Sequence, residues 1–136
     1  MARLWRVFTL ISVIALLFSS TFLFGQNVSD EIPEALVNAS ALVAAKDYVG
    51  AEKIYLDYIA TKPEVKYDCQ ARRDLGVLYI RQIQDAKAEA VIAELFADIE
   101  DQDQASEAIW RIAKQWANKG QHAKALDFYL QIQSVY

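Results

Sequence analysis

Residues 45–63 read AKDYVGAEKIYLDYIATKP, and their pattern of small and bulky apolar residues returns at a spacing of 37 along the chain. Ala51, Ala88 and Ala125 occupy one column of this alignment. Further columns that keep size and polarity in all three copies are Ala39, Gly76 and Ala113; Leu42, Tyr79 and Trp116; Ile54, Val91 and Phe128; Tyr55, Ile92 and Tyr129; and Tyr58, Leu95 and Ile132. A period between about 20 and 50 residues indicates stacked structural repeats.

Each copy has the pattern of two helices packed against each other. Ala39 and Leu42 are three residues apart and so share a helix face, while Ala51 and Tyr55 are four apart on a second helix. Small residues let two helix backbones approach to about 8–10 Å, and bulky ones fill the remaining space. A single pair cannot bury its own apolar face, so we expect the three copies to stack. The predicted helices lie near 32–46, 48–62, 67–84, 86–99, 104–118 and 122–135.

Two stretches place Tyr or His, then Ala and Tyr, at a common spacing: residues 45–63 and IWRIAKQWANKGQHAKALDFYLQI at 109–132. The motif LGVLYI at 75–80 adds Leu-Gly-x-x-Tyr. On these motifs, residues 32–136 resemble the tetratricopeptide repeat family, although the period of 37 exceeds that family's usual 34. The resemblance implies an all-α fold, a short right-handed superhelix of three antiparallel helix pairs. Its repeats would span about 32–66, 67–103 and 104–136.

Residues 1–25 form a separate segment with the pattern of an export signal. Two arginines in the first six residues precede an apolar run, Val7 to Phe24, whose only polar members are Thr and Ser. A hydrophobic helix of that length would be about 27 Å long. This is longer than the apolar core of a usual cleaved signal peptide and slightly shorter than the hydrocarbon thickness of a membrane. Cleavage after about Gly25 and retention as a single-pass membrane anchor therefore both stay open. In either case the repeat domain, residues 26–136, is expected outside the cytoplasm, on the periplasmic or extracytoplasmic face of the membrane.

The charge balance opposes nucleic-acid binding. The chain has 14 Lys and Arg against 18 Asp and Glu, a net charge of −4. Without the two arginines of the leader, the rest of the chain has 12 Lys and Arg against 18 Asp and Glu, a net charge of −6. Nucleic-acid recognition requires basic faces that neutralise phosphates, so this partner class is excluded.

Few residues suggest chemistry, because catalysis needs a nucleophile, a base and a stabilising group within mutual reach. His122, the only histidine, falls at a helix-pair turn, and Cys69, the only cysteine, is expected to be a buried small hydrophobe. The acidic residues between 98 and 103 lack the glycine that a calcium loop needs and are expected to form a solvated linker. We therefore expect no catalytic residues, no metal or cofactor and no small-molecule substrate.

A partner site is expected on the first helix of each pair, since these helices line the concave surface of stacked repeats. Mixed apolar and basic side chains there would suit a peptide with an acidic group and an apolar anchor. The alternative is that Trp110 packs between repeats and the basic residues pair with Asp74 and Glu107. The candidate groove residues are Arg73, Val77, Ile80, Arg81, Trp110, Arg111 and Lys114.

The leading functional hypothesis is an extracytoplasmic scaffold that binds a peptide or partner protein in a membrane-associated assembly. The alternative is an N-terminal docking or sensory part of a larger receptor or enzyme. A hydrolase or transferase is disfavoured because it would have to depend on His122 or Cys69.

Overall fold

The computed structural model describes residues 31–135, which form an all-α fold with six helices and no strand in that range. The six predicted helices are confirmed, each within a few residues of its expected ends. They are α1 (Glu34–Ala44), α2 (Tyr48–Ala60), α3 (Val65–Arg81), α4 (Asp85–Asp98), α5 (Gln102–Asn118) and α6 (His122–Val135). The expected leader, residues 1–25, lies outside the described residues. Among residues 31–135, none of the helices combines the length and apolar character needed to cross a membrane.

The helix boundaries follow the 37-residue spacing of the sequence. Helices α3 and α5 are both 17 residues long, and each boundary of α5 lies 37 positions after that of α3. Helices α2, α4 and α6 begin at Tyr48, Asp85 and His122, which are again 37 apart. The repeat in the sequence is therefore a repeat of helix pairs.

The turn inside each pair has the same backbone form in all three copies. Lys46, Ile83 and Gly120 adopt left-handed conformations with φ of 63°, 60° and 82°. The next amide N–H donates back to the helix, at 2.9 Å in each of the three turns. These three bonds run from Asp47 to Leu42, from Gln84 to Tyr79 and from Gln121 to Trp116. This is the Schellman arrangement, which ends the first helix of each pair and satisfies its last carbonyls.

Helix α3 is at the centre of the packing, in contact with α2, α4 and α5. Its approach to α5 depends on Gly76, since a Cβ built there would lie 2.7 Å from Ile112 Cδ1. Ile112 itself is fully buried. The largest fully buried side chains are Trp116, Leu78, Ile80, Ile92, Leu95, Ile109 and Ile112.

Two aspartates are the N-caps of helices, and the position of one of them differs from the prediction. Asp47 accepts a hydrogen bond from the Gly50 N–H at 3.0 Å, and Asp101 accepts one from the Gln104 N–H at 3.1 Å. Asp101 was expected to belong to a solvated linker, but it is the N-cap of α5. The acidic stretch therefore starts a helix as well as connecting two repeats.

Candidate partner-binding surface

The first cleft runs between α1 and α3 and has a volume of about 610 Å³. The side from α1 is mainly apolar, whereas the side from α3 carries Arg73, Asp74 and Arg81. Tyr55 of α2 lies at its base, where burial raises the pKa of the phenol to about 12. The residues of α1 and the segment before it that line the cleft are Ile32, Leu36, Val37, Ser40, Val43 and Ala44.

The second cleft runs between α3 and α5 and has a volume of about 430 Å³. Arg73, Asp74 and Val77 line both clefts, so the two are continuous across α3. The side from α5 is polar and aromatic. It is formed by Trp110, Arg111, Lys114, Gln115 and Asn118.

Packing explains why the first cleft is the larger one. Helices α3 and α5 are in close contact at Gly76, whereas no comparable contact joins α1 to α3 within residues 31–135. The equivalent of Gly76 in the first pair is Ala39, which is buried. The apolar residues of α1 line the larger of the two clefts.

Two cations of this surface have no carboxylate partner among the described residues. Arg81 lies at the end of the first cleft, and Lys114 in the second cleft contacts only a ring, with its Nζ 4.9 Å from the Trp110 ring centroid. By contrast, the Arg73 Nε lies 2.7 Å from Asp74 Oδ1, and Arg111 pairs with Glu107. Both pairings considered from the sequence are thus present, and Arg81 and Lys114 are the two cations of this surface that they do not include.

Trp110 contacts an aromatic residue of the neighbouring helix and is also partly exposed to solvent. Its ring centroid lies 6.4 Å from that of Tyr129 on α6, and the residue is 40% exposed. The indole thus contacts Tyr129 and Lys114 and still keeps part of its surface exposed. A half-buried tryptophan of this kind provides a large contact area at little conformational cost.

The structure brings six of the seven expected groove residues to the clefts. Ile80 is the exception: it is 1% exposed and lies in the core, so the expectation that it lines the groove is wrong. Because α3 is packed on three sides, its buried stripe is wider than that of an outer helix. The predicted groove did not include the apolar side that α1 provides. The 37-residue alignment indicates this side, because Leu36 and Ser40 of α1 occupy the columns of Arg73 and Val77.

Neighbouring helix pairs are also joined by two related polar clusters. Glu52 of α2 accepts hydrogen bonds from the Tyr79 O–H at 3.0 Å and the Lys87 Nζ at 3.1 Å, and that Nζ lies 5.0 Å from the Tyr79 ring centroid. One repeat later, the Lys124 Nζ lies 4.9 Å from the Trp116 ring centroid and pairs with Glu89 and Asp85. Positions 52, 79 and 87 correspond to 89, 116 and 124, so a glutamate, an aromatic ring and a lysine meet at both junctions between the pairs in residues 31–135. The hydrogen bond of the aromatic residue differs, because the Tyr79 O–H donates to Glu52 whereas the Trp116 N–H donates to Asp85.

The titratable groups considered for chemistry lie apart from the clefts or are buried. His122 is exposed at the start of α6. Cys69 is buried, and that burial raises the pKa of its thiol to about 11. Within residues 31–135, no group of three His, Cys, Asp or Glu side chains could hold a metal ion.

No protein-family model, curated protein or solved structure matches this chain.

Proposed function

We propose that this chain is a binding scaffold of the tetratricopeptide type, exported or anchored by its N-terminal segment, that holds an extended segment of a partner protein along its first helices. The observation that carries the proposal is the pair of continuous clefts across α1, α3 and α5, which share Arg73, Asp74 and Val77. An extended peptide matches a surface that continues from one repeat to the next.

The lining of the clefts supports one kind of ligand chemistry. The apolar side of α1 would take an aliphatic or aromatic side chain, because burying one contributes about 1.5–3 kcal/mol. Arg81 and Lys114 would take acidic groups, because neither forms an ion pair with a carboxylate within residues 31–135 that would have to be broken first. The expected ligand is therefore a peptide with an apolar anchor and at least one acidic group.

The proposal is tested by selecting peptides from a random library on the purified full-length chain. We expect enriched sequences to combine an apolar and an acidic residue. Their binding should weaken as salt is raised, since exposed charges are screened. Absence of enrichment, or enrichment of basic peptides, would contradict the proposal.

A charge-matched pair of variants locates the binding. Arg81→Glu combined with Lys114→Glu should reduce the affinity of a selected peptide at least about tenfold, as each lost charged contact contributes on the order of 1 kcal/mol. The control is Lys46→Glu combined with Lys62→Glu, which changes the net charge equally at two exposed residues outside both clefts. Equal loss in both variants would indicate a nonspecific charge effect and place the site elsewhere.

A further inference from the structure

The base of the first cleft holds a buried hydroxyl group without a hydrogen-bond partner among the described residues. Tyr55 lines this cleft and is only 2% exposed. Tyr79, which is also buried, donates its O–H to Glu52 at 3.0 Å, whereas no hydrogen bond joins the Tyr55 hydroxyl to any group within residues 31–135. Buried polar groups of proteins are nearly always paired, so this unpaired hydroxyl calls for a specific explanation.

The packing of the helix pairs does not require this hydroxyl. In the 37-residue alignment the column of Tyr55 contains Ile92 in the second pair, and Ile92 is 1% exposed. An entirely apolar side chain is therefore sufficient for the core at this position. The second cleft is lined by residues of α3 and α5, so this column contributes to the first cleft and not to the second.

Asp74 brings a carboxylate to the same cleft. Its Oδ1 accepts a hydrogen bond of 2.7 Å from the Arg73 Nε, and its Oδ2 is bonded to no other part of the chain that the structure describes. Burial is the main cause of the raised pKa of the Tyr55 phenol, and the Asp74 carboxylate raises it further, so the two groups are near each other. A carboxylate can only accept a hydrogen bond, whereas a phenol can also donate one. Together they fit a ligand group that donates to Asp74 and accepts from Tyr55.

We propose that the first cleft takes a tyrosine side chain of the partner protein as its apolar anchor, with the hydroxyl of that tyrosine donating to Asp74 and accepting from Tyr55. This inference rests on the proposed function, since it names the anchor residue of the peptide. The ring would lie against the apolar residues of α1, among them Leu36 and Val43. An aromatic side chain can bury about 150–250 Å² there.

Hydrogen-bonding capacity selects tyrosine among the possible anchors. A hydroxyl donates and accepts at once, whereas the indole N–H of tryptophan only donates, and phenylalanine and leucine do neither. Serine and threonine carry the hydroxyl but little apolar surface for α1. A site that pairs a ligand hydroxyl discriminates against the analogue without it, because the polar groups of the site are then buried unpaired.

The test uses the full-length chain and two peptides that differ only at the anchor. One is a tyrosine-containing peptide enriched in the library selection described above, and the other has phenylalanine in place of that tyrosine. We expect the parent chain to bind the tyrosine peptide at least about tenfold more tightly. Tyr55→Phe should reduce this preference at least about threefold, and it should bind the phenylalanine peptide at least as tightly as the parent does.

The matched control is Tyr79→Phe, which removes the hydroxyl of a buried tyrosine that lines neither cleft. It should keep the parent's preference for tyrosine but lower the melting temperature, because Glu52 loses a hydrogen bond. Tyr55→Phe should not lower the melting temperature, since its hydroxyl has no bond to lose within residues 31–135. A lower melting temperature of Tyr55→Phe would overturn the inference.

The outcomes also separate this inference from the proposed function. Enriched peptides without tyrosine, equal affinity of the parent for the two peptides, or an equal change of preference in Tyr55→Phe and Tyr79→Phe would overturn the tyrosine anchor alone. A library from which no peptide is enriched would overturn both.

Discussion

The indole N–H of Trp116 donates a hydrogen bond of 3.0 Å to Asp85 Oδ1, which joins α5 to the first residue of α4. This bond is the main cause that lowers the pKa of the Asp85 carboxyl, with Lys124 contributing further. A buried aromatic residue thus uses its single polar atom to join two helix pairs.

Asp85→Asn should lower the free energy of unfolding by about 1 kcal/mol at neutral pH, the usual size of a partly exposed charged hydrogen bond. Because the folded state lowers the pKa of Asp85, the stability from its carboxylate is present above the usual value of about 3.9 and is lost as pH falls through the folded value. The difference between the parent and the variant should therefore shrink on acidification, as measured by urea unfolding. Asp127→Asn, at an exposed residue of α6, is the control and should change little at any pH. A pH-independent loss in Asp85→Asn would show that packing, not charge, is responsible.

Ile83→Gly should stabilise the protein by about 1 kcal/mol. Ile83 has φ of 60° and is 83% exposed, so it has the conformation that β-branched residues adopt least readily and little packing to lose. The equivalent residue of the third pair is Gly120, with φ of 82°. The reciprocal variant Gly120→Ile should destabilise by a similar amount, as measured by thermal unfolding. If Ile83→Gly instead lowers the melting temperature, the isoleucine makes contacts that outweigh its backbone strain.

Gly76→Ala should destabilise the protein by about 1 kcal/mol, because overpacking against Ile112 exceeds the helix propensity gained by replacing glycine. Combining it with Ile112→Val, which removes the Cδ1 atom 2.7 Å from the added methyl, should recover part of the loss. The measurement is a double-mutant cycle of unfolding free energies. Additive effects of the two substitutions would mean that the helices separate to accommodate the methyl group.

Cys69 should resist alkylation by iodoacetamide at neutral pH in the folded protein. The thiolate is the reactive form, and burial raises the pKa of this thiol to about 11, so very little thiolate is present. Modification should become fast in denaturant, where the usual pKa of about 8.5 returns. Mass spectrometry of the two reactions provides the comparison. Rapid modification of the folded chain would show that α3 opens locally near Cys69.

The helices were predictable because their pattern is repeated, whereas several local features were not. The column of Ala51, Ala88 and Ala125 located every second helix, since only small residues fit where two helices cross. No sequence rule would assign a left-handed conformation to Ile83, because a β-branched residue disfavours it and only the tertiary fold imposes it.

The sequence predicted which side of each helix faces the clefts, but it did not predict how far burial extends around α3. Arg73 and Val77 lie four residues apart on one side of α3, as the helix period requires, and both line the clefts. Ile80 lies three residues further along, as the helix period also allows, yet it is buried because helices pack against α3 from several directions. Periodicity identifies a helix face, but the number of neighbouring helices decides how far around the helix that burial extends.

Because a cleft separates α1 from α3, we expect the helices to be less firmly held at α1 than at α5. Within residues 31–135, α1 contacts mainly α2, whereas α5 contacts α3, α4 and α6. Tilting α1 outward would break few contacts, while the same displacement of α5 would have to separate Gly76 from Ile112. We therefore expect the first cleft to adjust its width to side chains of different size more readily than the second cleft, whose two helices are in close contact at Gly76.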